Sequence, residues 1–280
     1  MRGKLAMATA VRDPEGNIQV EAERITPPEK KSRFSRLPFI RGIFNFVSSL
    51  VVGNRVLMRS AEVAEGDTEQ PSKAEKWLAE KHKINVNSLL NGLATVLGIA
   101  LAIVIFVMLP QYLTGLTPFK TTGLEGLWFN LIEGGIRIAV FILYILGISL
   151  FPSLRRVFMY HGAEHKCINC VEHGLELNVE NVLKSSREHK RCGTSFLMYV
   201  IVISIIFFMF IRVDSPVLKI VIRLLLIPVI AGVSYEIIRL AGKSDNKLVN
   251  LISKPGLMLQ HLTTREPDAE MAEVAIAAVE

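Results

Sequence analysis

Four long apolar runs divide the chain, at residues 88–113, 127–151, 195–211 and 217–240. Each is close to the roughly 20 residues a helix needs to cross a hydrocarbon core, and the third is the shortest. They predict a mainly α, polytopic membrane protein with four transmembrane helices. Ahead of them, residues 5–11 and 18–22 are short alternating runs around Asp13-Pro14-Glu15-Gly16-Asn17, which reads as a small N-terminal β-hairpin. Residues 38–60 mix Phe39, Ile43, Phe44, Val47, Leu50 and Val51 with Arg41, Arg55 and Arg59, the pattern of an amphipathic interfacial helix. The expected organisation is a polar region with the hairpin (1–37), the interfacial helix (38–60), a charged linker (61–87), a four-span domain (88–240) interrupted by a loop (152–194), and a soluble tail (241–280) ending in a short helix. No secretory signal peptide is expected, because the first apolar run is short and lacks a cleavage site.

Charge orients these spans. Lys73, Lys76, Lys81 and Lys83 precede the first, and Arg155, Arg156, Lys166, Lys184, Arg187, Lys190 and Arg191 fall between the second and third, whereas the other connections carry little positive charge. The positive-inside rule then places both termini and the 152–194 loop in the cytoplasm of a plasma (inner) membrane protein. A mean hydropathy of +0.38 beside a net charge of +6 agrees with apolar spans and basic aqueous segments, and excludes a disordered or disulfide-stapled secreted chain. The basic face is expected to meet anionic lipid headgroups. With no aromatic platform or recognised motif beside those charges, a nucleic-acid partner is not expected. The absence of internal repeats and of matching broken spans argues against a secondary transporter.

All three cysteines and four of the six histidines lie between residues 161 and 192. His161-Gly162-Ala163-Glu164-His165 puts two imidazoles one helical turn apart, the usual helical half of a zinc site. H-x-x-E-H is also the inverted zinc-peptidase pattern, with the carboxylate beside the metal activating water. If the second span continues as a helix to about residue 172, Glu172 falls on the same stripe and Glu164 about 60° to one side. Glu236 is a further carboxylate available to complete such a site. A second arrangement pairs Cys167-x-x-Cys170 with His189-x-x-Cys192 in a closed Cys3His site, which requires the helix to end near residue 166. His189 and Cys192 belong to both. His82, His173 and His261 taken singly read as ordinary surface histidines.

Ionisable residues also fall inside the spans. Glu133 and Arg137 stand four apart in the second and Arg223 lies in the fourth, so pairing between helices is expected. An interhelical pair that fixes packing is favoured over a polar path.

The strings Arg155-Arg156-Val157-Phe158-Met159-Tyr160-His161-Gly162-Ala163-Glu164-His165-Lys166, His189-Lys190-Arg191-Cys192-Gly193-Thr194-Ser195-Phe196, Ala231-Gly232-Val233-Ser234-Tyr235-Glu236 and Gln260-His261-Leu262-Thr263-Thr264-Arg265-Glu266-Pro267 resemble the domain-of-unknown-function 1385 family over nearly the whole chain. Its members are bacterial membrane proteins described as predicted metal-dependent enzymes. The resemblance implies a metal site and carries over to His161, Glu164, His165, Glu172, His189, Arg191, Cys192, Tyr235 and Glu236. Members commonly have Thr and a small residue where this chain has Cys167 and Cys170, which favours His161, His165, His189 and Cys192 as the zinc ligands. The family usually opens on a GGQAVxEGVMMR-type segment, from which Met1-Arg2-Gly3 departs. The resulting expectation is a membrane metalloprotein with a cytoplasm-facing zinc site and Glu164 as candidate general base of a metal-dependent hydrolase. The competing expectation is a non-catalytic scaffold or assembly factor with a structural zinc and a membrane-protein partner.

Overall fold

The computed structural model describes residues 1–3, 5–25, 35, 37–65, 86–119, 123–211, 213, 215–242 and 246–280. Most of the expected 61–87 linker, with His82, lies outside these residues. The chain is mainly helical with one hairpin. β1 (Ala6–Arg12) pairs antiparallel with β2 (Ile18–Arg24), from Ala6 opposite Arg24 to Arg12 opposite Ile18. Asp13 Oδ1 closes the turn by accepting from the amides of Glu15 (3.1 Å) and Asn17 (2.8 Å). Gly16 takes a φ of +91°, a conformation that favours glycine.

The amphipathic segment is α1 (Ile40–Glu65). It is anchored at both ends. Arg55 and Arg59 pair with Glu23 and Glu21 of the hairpin at 2.6 and 2.8 Å. At the other end Arg41 grips the Glu236 carboxylate with two guanidinium nitrogens, and Asn45 donates to the Tyr235 hydroxyl at 2.8 Å. Two glycines allow that crossing: a Cβ on Gly42 would lie 2.8 Å from Tyr235 Cβ, and one on Gly232 would lie 2.8 Å from the Phe39 carbonyl oxygen. Phe44, Val47, Leu50, Val51 and Leu57 remain exposed.

The first apolar run is α2 (Val86–Ile103), a π-helical turn (Val104–Met108) and α3 (Leu109–Gly115). Pro110 explains the irregularity. It has no N–H to give the carbonyl four residues back, so Phe106 O is released and accepts from Arg137 Nε at 3.1 Å.

The second run is α4 (Gly123–Ile148), followed after residues 149–151 by a separate helix, α5 (Pro152–Glu172). The expectation of one helix running from the second span through the histidines is therefore corrected. Phe151 precedes proline and adopts extended backbone (ψ 123°), because the proline ring crowds the α conformation of the residue before it. After α6 (Val179–Lys184) come α7 (Gly193–Met209) and α8 (Pro216–Ala241). The tail holds α9 (Lys247–Thr263) and α10 (Ala269–Ala277), the latter capped by Asp268. The sequence reading anticipated α10 but not α9, whose interior carries Pro255 and Gly256.

Among the described residues, three helical stretches are long and apolar enough to cross a membrane: Gly92–Gly115, Glu125–Ile148 and Pro216–Ala241. The third apolar run is a 17-residue helix, about 25 Å long and thus short of the roughly 30 Å hydrocarbon core.

Two apolar cores position the site. In one, Phe141 and Ile145 of α4, Met198 of α7 and Leu259 of α9 pack together. In the other, Ala163, Cys167 and Cys170 of α5 meet Val182 of α6 and Met271, Ala272 and Ala275 of α10. The chain between α9 and α10 is pressed against α5, with Arg265 N donating to Phe158 O at 2.9 Å. A Cβ on Gly162 would fall on the Arg265 carbonyl oxygen. Gly162→Ala should therefore force these segments apart and destabilise the protein by about 3 kcal/mol, as measured by denaturant unfolding in micelles. A variant as stable as wild type would show that the two backbones are not in contact.

Candidate metal centre

α5 carries His161 and His165 on one face, and their rings lie 4.4 Å apart, centroid to centroid. Cys192 comes from the far side of the loop, at the N-cap of α7. Its Sγ accepts from Thr194 N at 3.4 Å and lies 3.1 Å from Thr194 Oγ1. His161 Nε2 is 3.2 Å from Cys192 Sγ, and one ligand atom from each of His161, His165 and Cys192 fits within a 4.8 Å span.

The other ring nitrogens explain how this face is held. His161 Nδ1 is 2.9 Å from the Thr263 carbonyl oxygen and His165 Nδ1 is 2.6 Å from that of Arg187. A carbonyl only accepts, so each Nδ1 carries a proton, which leaves Nε2 of each ring as the atom available to a metal. This is the outer-shell arrangement that orients imidazoles for a metal. The loop supplying the second carbonyl is itself clamped from α5. Buried Lys166 donates to Leu183 O (2.7 Å) and Ser185 O (2.9 Å), and Asn169 donates to Ser186 O (2.6 Å) and Glu188 O (2.9 Å). From α9, Gln260 holds both backbone groups of His189, accepting from its N at 2.8 Å and donating to its O at 2.7 Å.

Electrostatics favour a metal-binding form of the cysteine. Burial alone would raise the Cys192 thiol, but hydrogen bonds and charge from His161 and His165 outweigh it and bring the thiol to about 5. Burial likewise opposes charging His161, yet its contact with Cys192 holds its pKa above the usual value. Cys192 is thus a thiolate at neutral pH, the form that binds a metal. Because the unfolded thiol titrates at 9.0, the depressed value stabilises the fold fully above that pH, and the contribution is lost as pH falls towards 5. After chelation, iodoacetamide should label Cys192 with a rate midpoint near pH 5, and added zinc should protect it. Cys167, pushed by burial to about 11, should stay unlabelled at neutral pH. A Cys192 midpoint near 9 would refute the pairing.

The other sequence candidates fall as follows. His189 is close, its ring 5.8 Å from that of His165, but its Nε2 faces Glu172 at 3.4 Å. Burial lowers its pKa, although Glu172 opposes the shift. Glu172 also pairs with Arg191. Glu164 is half-buried and lines the same cleft as His161, His165 and Cys192. Glu236 is committed to Arg41 and the Phe39 amide and does not reach the centre. The Cys3His arrangement is not formed, because α5 stays helical to Glu172 and turns Cys167 and Cys170 into the core, where both are fully buried. His173 caps α5 through Asn169 O (2.7 Å), and exposed His261 pairs with Glu188 at 3.1 Å.

The cleft beside the centre has a volume of about 850 Å³. Ala6, Ala8, Val20 and Ala22 of the hairpin form one wall and residues 277–280 another, with His161, Glu164, His165 and Cys192 also exposed to it. Sequence reasoning missed the carbonyls of Thr263 and Arg187, for which there is no signal because every residue has one. Gln260 and Thr263 do lie in the resemblance strings given above.

Residues 37–280 match the model of the family described as "Protein of unknown function (DUF1385)". The chain is similar to "Uncharacterized protein YqhQ" of Bacillus subtilis (strain 168), with 35% identity over 278 residues, covering 98% of this chain and 86% of that one. No solved structure matches it significantly. The matched region contains every residue of the centre, and the chain belongs to the DUF1385 family.

Proposed function

We propose that this chain is a four-span plasma-membrane metalloprotein whose cytoplasm-facing centre holds zinc for hydrolysis. One observation carries the reading: two Nε2 atoms, each set by an Nδ1-to-carbonyl bond, converge with a depressed-pKa thiolate beside a cleft. A borderline-soft ion with tetrahedral preference suits two imidazoles and a thiolate, and three protein ligands leave a position for water or substrate. When bound, zinc would supply Lewis-acid activation of that water or of a substrate oxygen. His161, His165 and Cys192 would hold it, the Thr263 and Arg187 carbonyls would keep the rings oriented, and Glu164 would take and return the proton.

The membrane placement counts α7, the third apolar run, as a span beside the three longer ones, with helix 40–65 lying at the interface and both termini in the cytoplasm. Support comes from the α4–α5 junction, where exposed Leu150, Phe151, Leu154 and Val157 adjoin exposed Arg155 and Arg156. That mixture suits a membrane boundary with anionic headgroups.

A second reading rests on His189, whose partly buried ring stands next to that of His165. Were it a fourth ligand, the site would be closed and structural, and the protein a scaffold for a membrane partner. Two substitutions separate the readings. In the hydrolase, His189→Ala retains stoichiometric zinc by metal analysis, and Glu164→Gln keeps zinc but abolishes complementation of a deletion strain. Zinc lost with His189→Ala, together with full complementation by Glu164→Gln, would overturn it in favour of the scaffold.

A further inference from the structure

A second cluster of ionisable groups lies in the long apolar helices, apart from the metal centre. Glu133 and Arg137 of α4 and Lys219 and Arg223 of α8 are 1%, 5%, 2% and 1% exposed. Arg137 reaches Glu133 at 2.8 Å, and Arg223 reaches both carboxylate oxygens at 2.5 and 2.7 Å. Arg223 also donates to Gln111 Oε1 at 3.0 Å, and Arg137 to the Phe106 carbonyl freed by Pro110. Both guanidinium groups stack over Phe208 at 4.9 Å.

Among the described residues, three cations surround one carboxylate, and both of its oxygens are already taken by arginine. Glu133 with one arginine would be enough to fix the packing of α4 on α8. Arg223 Nε is buried and has no hydrogen-bond partner among the described residues. Lys219 Nζ stands 3.8 Å from Glu133, beyond hydrogen-bond distance, and 4.2 Å from the centre of the Phe129 ring. Excess buried charge of one sign is strongly destabilising unless a counter-charge joins it. Guanidinium and ammonium donors left over from a carboxylate are those that take oxyanions. Lys219 lies in the first turn of α8, whose N-terminal dipole adds positive potential, and Asn130 Nδ2 faces Ile211 O at the end of α7 (3.5 Å).

We infer that this cluster is an anion-binding site for a phosphoryl group, with Lys219 and the Arg223 Nε edge as its free donors. The phosphoryl group comes from a phospholipid headgroup or from free phosphate, two sources with the same chemistry. It neutralises the cluster where Glu133 alone cannot.

The test uses the purified full-length protein in neutral detergent at fixed ionic strength. Inorganic phosphate is added in one arm, phosphatidylglycerol in a second, and a phosphate-free neutral glycolipid in a third. Wild type should gain about 5 °C in unfolding midpoint with phosphate, phosphatidylglycerol or both, and nothing with the glycolipid. A response to phosphate identifies the free anion, and a response to phosphatidylglycerol alone identifies the lipid headgroup. Lys219→Met should lose the response. Lys219→Glu, which supplies the missing carboxylate, should lose it while unfolding at a higher midpoint than wild type without added anion. Absence of any phosphate or phosphatidylglycerol shift in wild type, or an undiminished shift in Lys219→Met, overturns the proposal. The Lys219→Met comparison also separates binding from the general stabilisation that phosphate gives to compact states.

Discussion

Cys192→Ser should lower zinc affinity by more than about 100-fold while leaving the helical fold in place. Removal of an outer-shell partner already costs 10- to 100-fold, and this change removes one of the proposed ligands itself. A serine hydroxyl near neutral pH is neither soft nor ionised, whereas the Cys192 thiol is held near 5 by His161 and His165. Serine is nevertheless a good N-cap and can keep accepting from Thr194 N as the thiol does, so α7 retains its start. Loss of metal with retained structure would be read by chelator competition and by the thiolate-to-metal absorption of the cobalt-substituted protein, alongside circular dichroism. Stoichiometric zinc in Cys192→Ser would remove Cys192 from the ligand set and leave the hydrolase reading without its third donor. The matching change, His161→Ala, is less discriminating because it also cuts the link from α5 to Thr263 O.

Glu133→Gln should destabilise the protein by about 3–5 kcal/mol, the scale seen when one partner of a buried ionic group is removed. The substitution preserves shape and leaves Arg137, Lys219 and Arg223 with no carboxylate among the described residues of the cluster. Arg137→Met deletes one of the excess cations and should cost less, although it orphans Phe106 O. Reversible unfolding in mixed micelles would measure both. Equal losses for the two variants would show that charge balance does not govern this core.

How much of this was legible beforehand differs by element. The hairpin followed from alternation around Asp13 to Asn17, since the turn chemistry is local. The break between α4 and α5 was also written in the chain, at Pro152, but hydropathy carried the reading across it. The third apolar run was legible as a helix and the shortest of the four. α9 was hidden by Pro255 and Gly256, which local propensity counts against a helix. Packing against α7 makes use of the glycine: a Cβ on Gly256 would lie 2.7 Å from Ser195 Cβ.

For the candidate metal centre, one-turn spacing alone put His161 and His165 on one face, and the clustering of thiols and imidazoles marked the stretch that supplies the His161, His165 and Cys192 group. Clustering alone left all three cysteines open, and it was the family resemblance that pointed to Cys192. Cys167 and Cys170 are nearer in sequence, yet they lie in the core, while Cys192 arrives from 27 residues beyond His165. Helix periodicity and turn chemistry are short-range and were present in the sequence by itself. The approach of Cys192 to His161, the orientation of His189 towards Glu172, and the carbonyls of Thr263 and Arg187 that set both rings depend on where α5, α7 and α9 meet, and only the tertiary structure decides that.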